Sequence, residues 1–225
     1  MKQIDLIITT NGRKEYIVPT IDSWKNFIDI NINNKIIIDD SGNKEYRDWL
    51  TSTFPDFQIL PLGEKNMGFS FLMKTWLVDL SIESKYLLLL EDDFLLLEEL
   101  DIETILNILD NKHLIELSLK RQAWSAEEIN AGGMIERIFN GTNFIQKDGW
   151  FEHRQFFTTN PSFINVERLK KYSKPIYKNS ELMSEGEFGL RLFANNPEVY
   201  AAFLGNIFDK PKVEHIGYVR TGVYE

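Results

Sequence analysis

Three consecutive acids, Glu91-Asp92-Asp93, sit between the apolar runs YLLLL (86–90) and FLLL (94–97). Carboxylates set into an apolar segment are poor core residues unless a counter-charge meets them. Their hard oxygens suit Mg2+ or Mn2+, with a diphosphate supplying further oxygens. Capping and the helix dipole at a helix N-terminus would account for one or two of these acids, not three. A second acidic pair, Asp39-Asp40, follows the run KIII and precedes Ser41-Gly42. Like charges held close need a cation or raised pKa values. Two more apolar runs end in polar, glycine-bearing segments, Thr9-Thr10-Asn11-Gly12-Arg13 and Gly63-Glu64-Lys65-Asn66-Met67-Gly68.

The elements that must position these groups alternate. Short apolar runs at 4–9, 35–39, 57–62 and 86–90 read as strands. Helical spacing marks 15–27 (Ile17, Ile21, Trp24, Phe27), 45–53 and 69–80 (Leu72, Met73, Trp76, Leu77, Leu80). The order βαβαβαβ predicts an α/β fold with a mostly parallel sheet and helices on both faces. Such sheets bind ligands outside the carboxyl ends of their strands, near the point where strand order reverses. Each polar segment follows a strand, so all of them should reach one edge.

The second half is less regular. Helices are expected at 102–109, 166–172 and 182–195. Strands are expected at 114–119, 156–164 and 199–204, the second of these broken by Asn160-Pro161. Residues 124–150 lack clean periodicity and suit a hairpin or an active-site loop, and 213–225 carry no strong pattern. In the helix at 182–195, Glu187 stands four residues before Arg191, an exposed pair worth ~0.2–0.5 kcal/mol. Glu185 lies instead on the inward stripe with Leu182, Phe188, Gly189 and Leu192. An acid on that stripe could have a raised pKa and act as a general base. Trp124 and Trp150, in polar loop surroundings, could stack on a sugar ring or pack in the core. Asn160 before Pro161 could form an acceptor-binding turn or simply a turn. Arg13 and Lys74 are candidate phosphate partners, and His215 is either a metal ligand or a packed histidine.

Composition excludes several classes. The 225 residues are 43% hydrophobic, enough for one sizeable core and too many for a disordered chain. Cysteine is absent, which excludes disulfides, thiolate metal sites and a cysteine nucleophile. Three histidines make a multi-histidine zinc site a poor expectation. The net charge of −9 and the lack of a basic stripe argue against a dedicated nucleic-acid binder. The N-terminus does not read as a signal peptide, and no stretch approaches the ~20 apolar residues that span a bilayer. The expectation is a soluble, cytoplasmic protein. Asn140-Gly-Thr142 matches a glycosylation acceptor, which means little without a secretion signal.

Taken in order, these segments resemble the GT-A fold glycosyltransferases, and among them glycosyltransferase family 2, including small bacterial or phage-type members. YLLLLEDDF resembles the DxD-type motif in a Glu-Asp-Asp form. IITTNGR and IIIDDSG resemble the first- and second-strand loops that hold the nucleotide, and EKNMGFSFLMKTW the Asn-x-Gly loop and helix before the DxD strand. NPSFIN resembles the acceptor-side segment, SEGEFGLRL the late acidic helix of inverting members, and VEHIG a C-terminal His that completes the metal site. The likeness runs from residue 4 to residue 217. It departs from the commoner Glu-Asp pair of the late helix, since Gly186 follows Glu185.

The resemblance implies a single GT-A domain over 1–225, with 1–100 as the nucleotide-sugar-binding half and 101–225 as the acceptor-binding and catalytic half. It implies a metal-dependent transferase that moves a sugar from a nucleotide-sugar, UDP-sugars favoured, to an acceptor hydroxyl with inversion. Asp93 and His215 would hold Mn2+ or Mg2+, with Glu91 or Asp92 toward the ribose or a metal-bound water. Thr9, Asn11, Arg13, Asp39, Asp40, Asn66 and Gly68 would surround the donor, with either Asp39 or Asp40 on the base or ribose. Glu185 would be the base, and Trp124, Trp150 and Asn160 would meet a glycan or small-molecule acceptor. A modified DNA base is a minority acceptor, served by a local patch of Arg121, Arg137, Lys147 and Arg154. The competing readings are a nucleotidyltransferase, for which TTNGRKEY is a poor phosphate loop, and a non-catalytic sugar- or nucleotide-binding module.

Overall fold

The computed structural model describes residues 4–133, 135–136, 144–177 and 182–217. Arg137 and the Asn140-Gly-Thr142 acceptor lie outside the described residues. In chain order the elements are β1 (Ile4–Thr10), α1 (Lys14–Asn31), β2 (Ile32–Asp39), α2 (Lys44–Thr53) and β3 (Gln58–Pro61). Then come α3 (Phe69–Lys74), which runs into a π-helical turn at Thr75–Asp79, β4 (Tyr86–Glu91), β5 (Phe94–Leu96) and α4 (Ile102–Leu109). The rest are β6 (Leu114–Ser118), α5 (Ala126–Ala131), β7 (Ile145–Gln146), β8 (Trp150–His153), β9 (Ser162–Asn165), α6 (Val166–Ile176), α7 (Glu185–Asn195), β10 (Tyr200–Leu204) and β11 (Val213–His215).

One sheet runs β3-β2-β1-β4-β9-β6-β10-β8-β7. β3, β2, β1 and β4 are parallel, as their alternation with helices requires. β9 inserts antiparallel between β4 and β6, and β10 returns parallel to β6. The strands bury both faces, so β4 reads as continuous leucine. Leu88 and Leu90 pack with α1 and α4 residues such as Trp24, Phe27, Ile105 and Ile108. Leu87 and Leu89 pack on the other face with Leu72, Trp76, Leu169 and Phe188. Each such side chain contributes roughly 1.5–3 kcal/mol, and together they fix where β4 ends and its acids begin.

Three expected elements differ. The strand predicted at 156–164 is only Ser162–Asn165, because Pro161 has no N–H for the ladder; its carbonyl instead accepts from Leu119. The helix predicted from 182 starts at Glu185, where the Ser184 side chain caps it by accepting from the Glu187 N–H, and Leu182 is left exposed outside it. Within the irregular 124–150 segment lies α5, opened by a capping box between Ser125 and Glu128. Among the described residues, no helix is long and apolar enough to cross a membrane.

Candidate active site

β1 connects through α1 to β2 on one side, while β4 lies on its other side, so strand order reverses between β1 and β4. Thr9 stands opposite Glu91 there, and the Asp92 N–H donates to the Thr9 carbonyl at 3.0 Å. A cleft of about 580 Å³ opens at this edge. It is lined by Thr9, Asn11, Arg13, Asp40, Asn66 and Gly68, by Glu91, Asp92 and Asp93, and by Trp124, Asn160, Glu185 and His215.

The acid triplet is heavily tied. Asp92 accepts from Thr10 Oγ1 at 2.6 Å and pairs with Arg13. Thr10 also meets the Tyr46 hydroxyl at 2.7 Å, and Thr20 Oγ1 donates to the Asp92 carbonyl at 2.8 Å. Burial pushes the Asp92 carboxyl up to about 6, against the lowering by Arg13. On Asp93, Oδ2 receives Arg13 Nη1 at 2.8 Å and His215 Nε2 at 3.2 Å. Burial raises this carboxyl, but His215 and Arg13 outweigh it and hold the pKa below the ordinary value. Asp93 Oδ1 is buried and has no hydrogen-bond partner.

His215 arrives from the far end of the chain. β11 pairs antiparallel with β5, the strand that leaves the acid triplet, and sets His215 opposite Phe94. The imidazole lies between the Phe94 ring, 4.6 Å away by centroid, and the Trp124 ring at 3.8 Å. Gln122 holds its backbone through both the N–H and the carbonyl. Gly217 then packs on Asp93, where an added Cβ would lie 2.1 Å from Oδ2. The orphaned Oδ1 and the neutral-capable Nε2 are suitable donors for Mg2+ or Mn2+. Among the described residues no cluster of three His, Asp or Glu forms a protein-only cage.

Glu185 opens α7 and faces the same cleft. Its Oε1 accepts from the Thr159 N–H at 2.5 Å, while Thr159 Oγ1 donates to Glu91 Oε1 at 2.8 Å. Thr158 N–H points to the fully buried Glu116 at 3.3 Å. Burial raises all three carboxyls, with Glu91 reaching about 8 as Asp93 and Glu185 add to the effect. Glu187 forms the expected exposed pair with Arg191 at 2.6 Å.

Of the second-strand acids, Asp40 lines the cleft and Asp39 does not. Asp39 is fully buried, receives the Ser41 N–H at 2.9 Å and pairs with Arg47 at 3.1 Å. Asp40 clamps the Asn66–Gly68 loop by accepting from Met67 N–H at 2.7 Å and Gly68 N–H at 3.0 Å. Gly42 lets that loop approach: its φ is +64°, and a Cβ would meet Lys65 Cα at 2.3 Å. Trp150 is displaced from the expected acceptor side. It sits on β8 against the core, paired with Leu204, and does not line the cleft. Lys74 reaches Asp79 at 3.6 Å and also lies off the cleft. Of the described residues of the basic patch, Arg121 grips Glu128 and lines the cleft, Lys147 faces Glu152, and Arg154 binds the Phe193 and Asn196 carbonyls. Thr10, Phe69, Thr159 and Gly217 also line the cleft, and no residue type or spacing in the sequence marks them individually as site residues. The Ser125-Ala-Glu-Glu128 capping box was the one local signal for α5, whose Glu128 holds Arg121 and the Trp124 N–H.

No family model and no curated protein sequence matches the chain. Among solved structures it is similar to residues 1–349 of S. aureus TarS in complex with UDP-GlcNAc, at TM-score 0.60 and 14% identity over 99% of this chain and 62% of that one. It is similar to GalNAc-T7 with UDP, GalNAc and Mn2+, at TM-score 0.62 and 10% identity, covering 95% of this chain and 44% of that one. It is similar to the mannosyltransferase PcManGT of Pyrobaculum calidifontis in complex with GDP-Man and Mn2+, at TM-score 0.56 and 9% identity over 99% of this chain and 58% of that one. The chain thus spans less than two thirds of each of these solved chains. The fold is GT-A, in agreement with the sequence resemblance.

Proposed function

We propose that this GT-A chain is a metal-dependent glycosyltransferase that moves a sugar from a nucleoside-diphosphate sugar to an acceptor hydroxyl with inversion. The observation that carries the reading is the convergence, in one cleft at the β1–β4 switch point, of the Asp93–His215 pair and a half-buried acid, Glu185. Solved chains of the same fold carry UDP-GlcNAc, UDP with GalNAc and Mn2+, or GDP-Man with Mn2+, which favours this donor class.

Asp93 and His215 would hold Mn2+ or Mg2+. Bound there, the ion supplies positive charge to the diphosphate as it leaves. Arg13 adds a guanidinium at the same edge, and Thr9, Asn11, Asp40 and the Asn66–Gly68 loop surround the nucleotide. Glu185 takes the proton of the acceptor hydroxyl as its oxygen bonds to the sugar C1 and the C1–O bond to the diphosphate breaks. Burial lifts the Glu185 pKa toward the range where a carboxylate is an effective base. The Thr159 N–H holds Oε1 of this carboxylate and so orients it in the cleft. Trp124 and Asn160 lie at the cleft for acceptor contact, Trp124 with one face already spent on His215.

The test is a screen of UDP-, GDP-, CDP- and TDP-sugars by thermal shift with and without Mn2+, followed by donor hydrolysis. A donor at 100 times its Kd raises stability by about 2.7 kcal/mol, so a true donor stands out in the presence of metal. Binding without hydrolysis in every case would favour the binding-module reading, and release of inorganic pyrophosphate from a nucleoside triphosphate would favour a nucleotidyltransferase.

A further inference from the structure

Arg13 occupies an unusual place. It stands at the start of α1 yet its side chain caps nothing in the helix. Its guanidinium instead bridges the two aspartates of the acid triplet, pairing with Asp92 and meeting Asp93 Oδ2 at 2.8 Å. Both carboxylates are almost wholly buried, and like charges so close need a counter-ion. Arg13 supplies it, on the same Asp93 oxygen that His215 reaches. The guanidinium also lines the cleft, and its Nε is buried with no partner.

We propose that Arg13 is a resident counter-cation, which bridges Asp92 and Asp93 in place of the divalent ion at Asp93 and passes to the donor diphosphate when the ion binds. The inference rests on the donor class proposed above. A divalent ion on Asp93 Oδ1 and a guanidinium on Oδ2 of the same carboxylate repel one another, so one must move. Alone, the ion must displace Arg13 into a cleft whose other carboxylates, Asp40, Glu91 and Glu185, already accept hydrogen bonds from Met67, Gly68 and Thr159. With a diphosphate present, the displaced fork gains a bidentate anionic partner. Metal and nucleotide therefore bind together, each raising the affinity of the other by the same factor. Without either, the aspartates stay neutralised and the cleft stays folded.

Calorimetric titration of Mn2+ into the full chain, with and without saturating UDP or GDP, tests this directly. In the wild type Mn2+ alone binds weakly, and the better nucleotide tightens it ~10–100-fold. In Arg13→Gln, Mn2+ alone binds about tenfold more tightly than in the wild type, and the nucleotide adds no more than about threefold. Arg13→Lys keeps a point charge without the fork and falls between the two. A folded Arg13→Gln protein that binds Mn2+ no more tightly than the wild type, or keeps the full coupling, overturns the proposal. If that variant fails to fold, unchanged coupling in Arg13→Lys overturns it. Wild-type chain that binds neither nucleotide with Mn2+ overturns the donor reading itself, and this inference with it.

Discussion

Glu185 and Glu187 are two residues apart in one helix and have different fates. Glu187 reaches water and Arg191, whereas Glu185 turns into the cleft at the first position of α7. Glu185→Gln keeps the shape and the Thr159 contact but removes the proposed base. It is expected to leave donor binding unchanged and to cut turnover by about 10²–10⁴, measured as kcat against donor affinity. Glu187→Gln, the matched control, should lose only the ~0.2–0.5 kcal/mol of an exposed helix pair. Because burial raises the Glu185 pKa, the acid limb of the wild-type rate profile should lie above the ordinary glutamate value, activity rising as the carboxylate forms. Asp93→Asn should abolish the Mn2+ enhancement of nucleotide binding; a variant with unaltered metal dependence would place the ion elsewhere.

At the scale of elements, the site depends on two short strands. β5 and β11 form their own two-stranded sheet, and this pairing brings His215 to Asp93. β5 is anchored from α1, since Trp24 Nε1 donates to the Phe94 carbonyl at 3.0 Å. β11 is anchored from Asp93, whose carbonyl accepts the Ile216 N–H at 2.9 Å. The closeness requires glycine at 217. Gly217→Ala places a methyl 2.1 Å from a carboxylate oxygen that Arg13 and His215 already hold. The expected outcome is loss of metal-enhanced nucleotide binding in calorimetry, with circular dichroism and the main sheet retained. α5 acts similarly on the other wall, its Glu128 clamping Arg121 and the Trp124 N–H so that the Trp124 ring stays on His215.

For the whole molecule, buried acids and a buried histidine set the pH range of stability. Glu116 is fully buried and its pKa is raised well above the ordinary value by burial. As pH rises past the ordinary glutamate value the unfolded chain loses this proton while the folded chain keeps it, so stability falls. His153 is the opposite case. Burial lowers it to about 3, and below its ordinary value near 6.5 the unfolded chain takes up a proton that the folded chain refuses. Stability therefore falls on the acid side through His153 and on the alkaline side through Glu116. Urea midpoints measured without metal should decline from about pH 6.5 to about pH 8. Glu116→Gln, which copies the protonated form, should make that decline shallower; an identical slope would exclude Glu116 as its source.

Local pattern alone determined the βαβ order of the first half and the delivery of the polar segments after its strands to one edge. Each of these follows from periodicity within a single run of residues and from the handedness of strand–helix–strand connections. The acid triplet was legible because three carboxylates break a leucine strand that both faces of the sheet must bury. Which acid of Asp39-Asp40 faces the cleft was not legible, since a shift of one residue at a strand end exchanges the two directions. Trp150 reads as a loop aromatic until β8 pairs with β10 and sets it, half-buried, against the core. The meeting of Asp93 with His215, and of Thr159 with both Glu91 and Glu185, joins segments far apart in the chain. No local propensity encodes such contacts; they form only when β9 enters beside β4 and β11 closes on β5, because packing and ladder hydrogen bonds, not sequence spacing, select those neighbours.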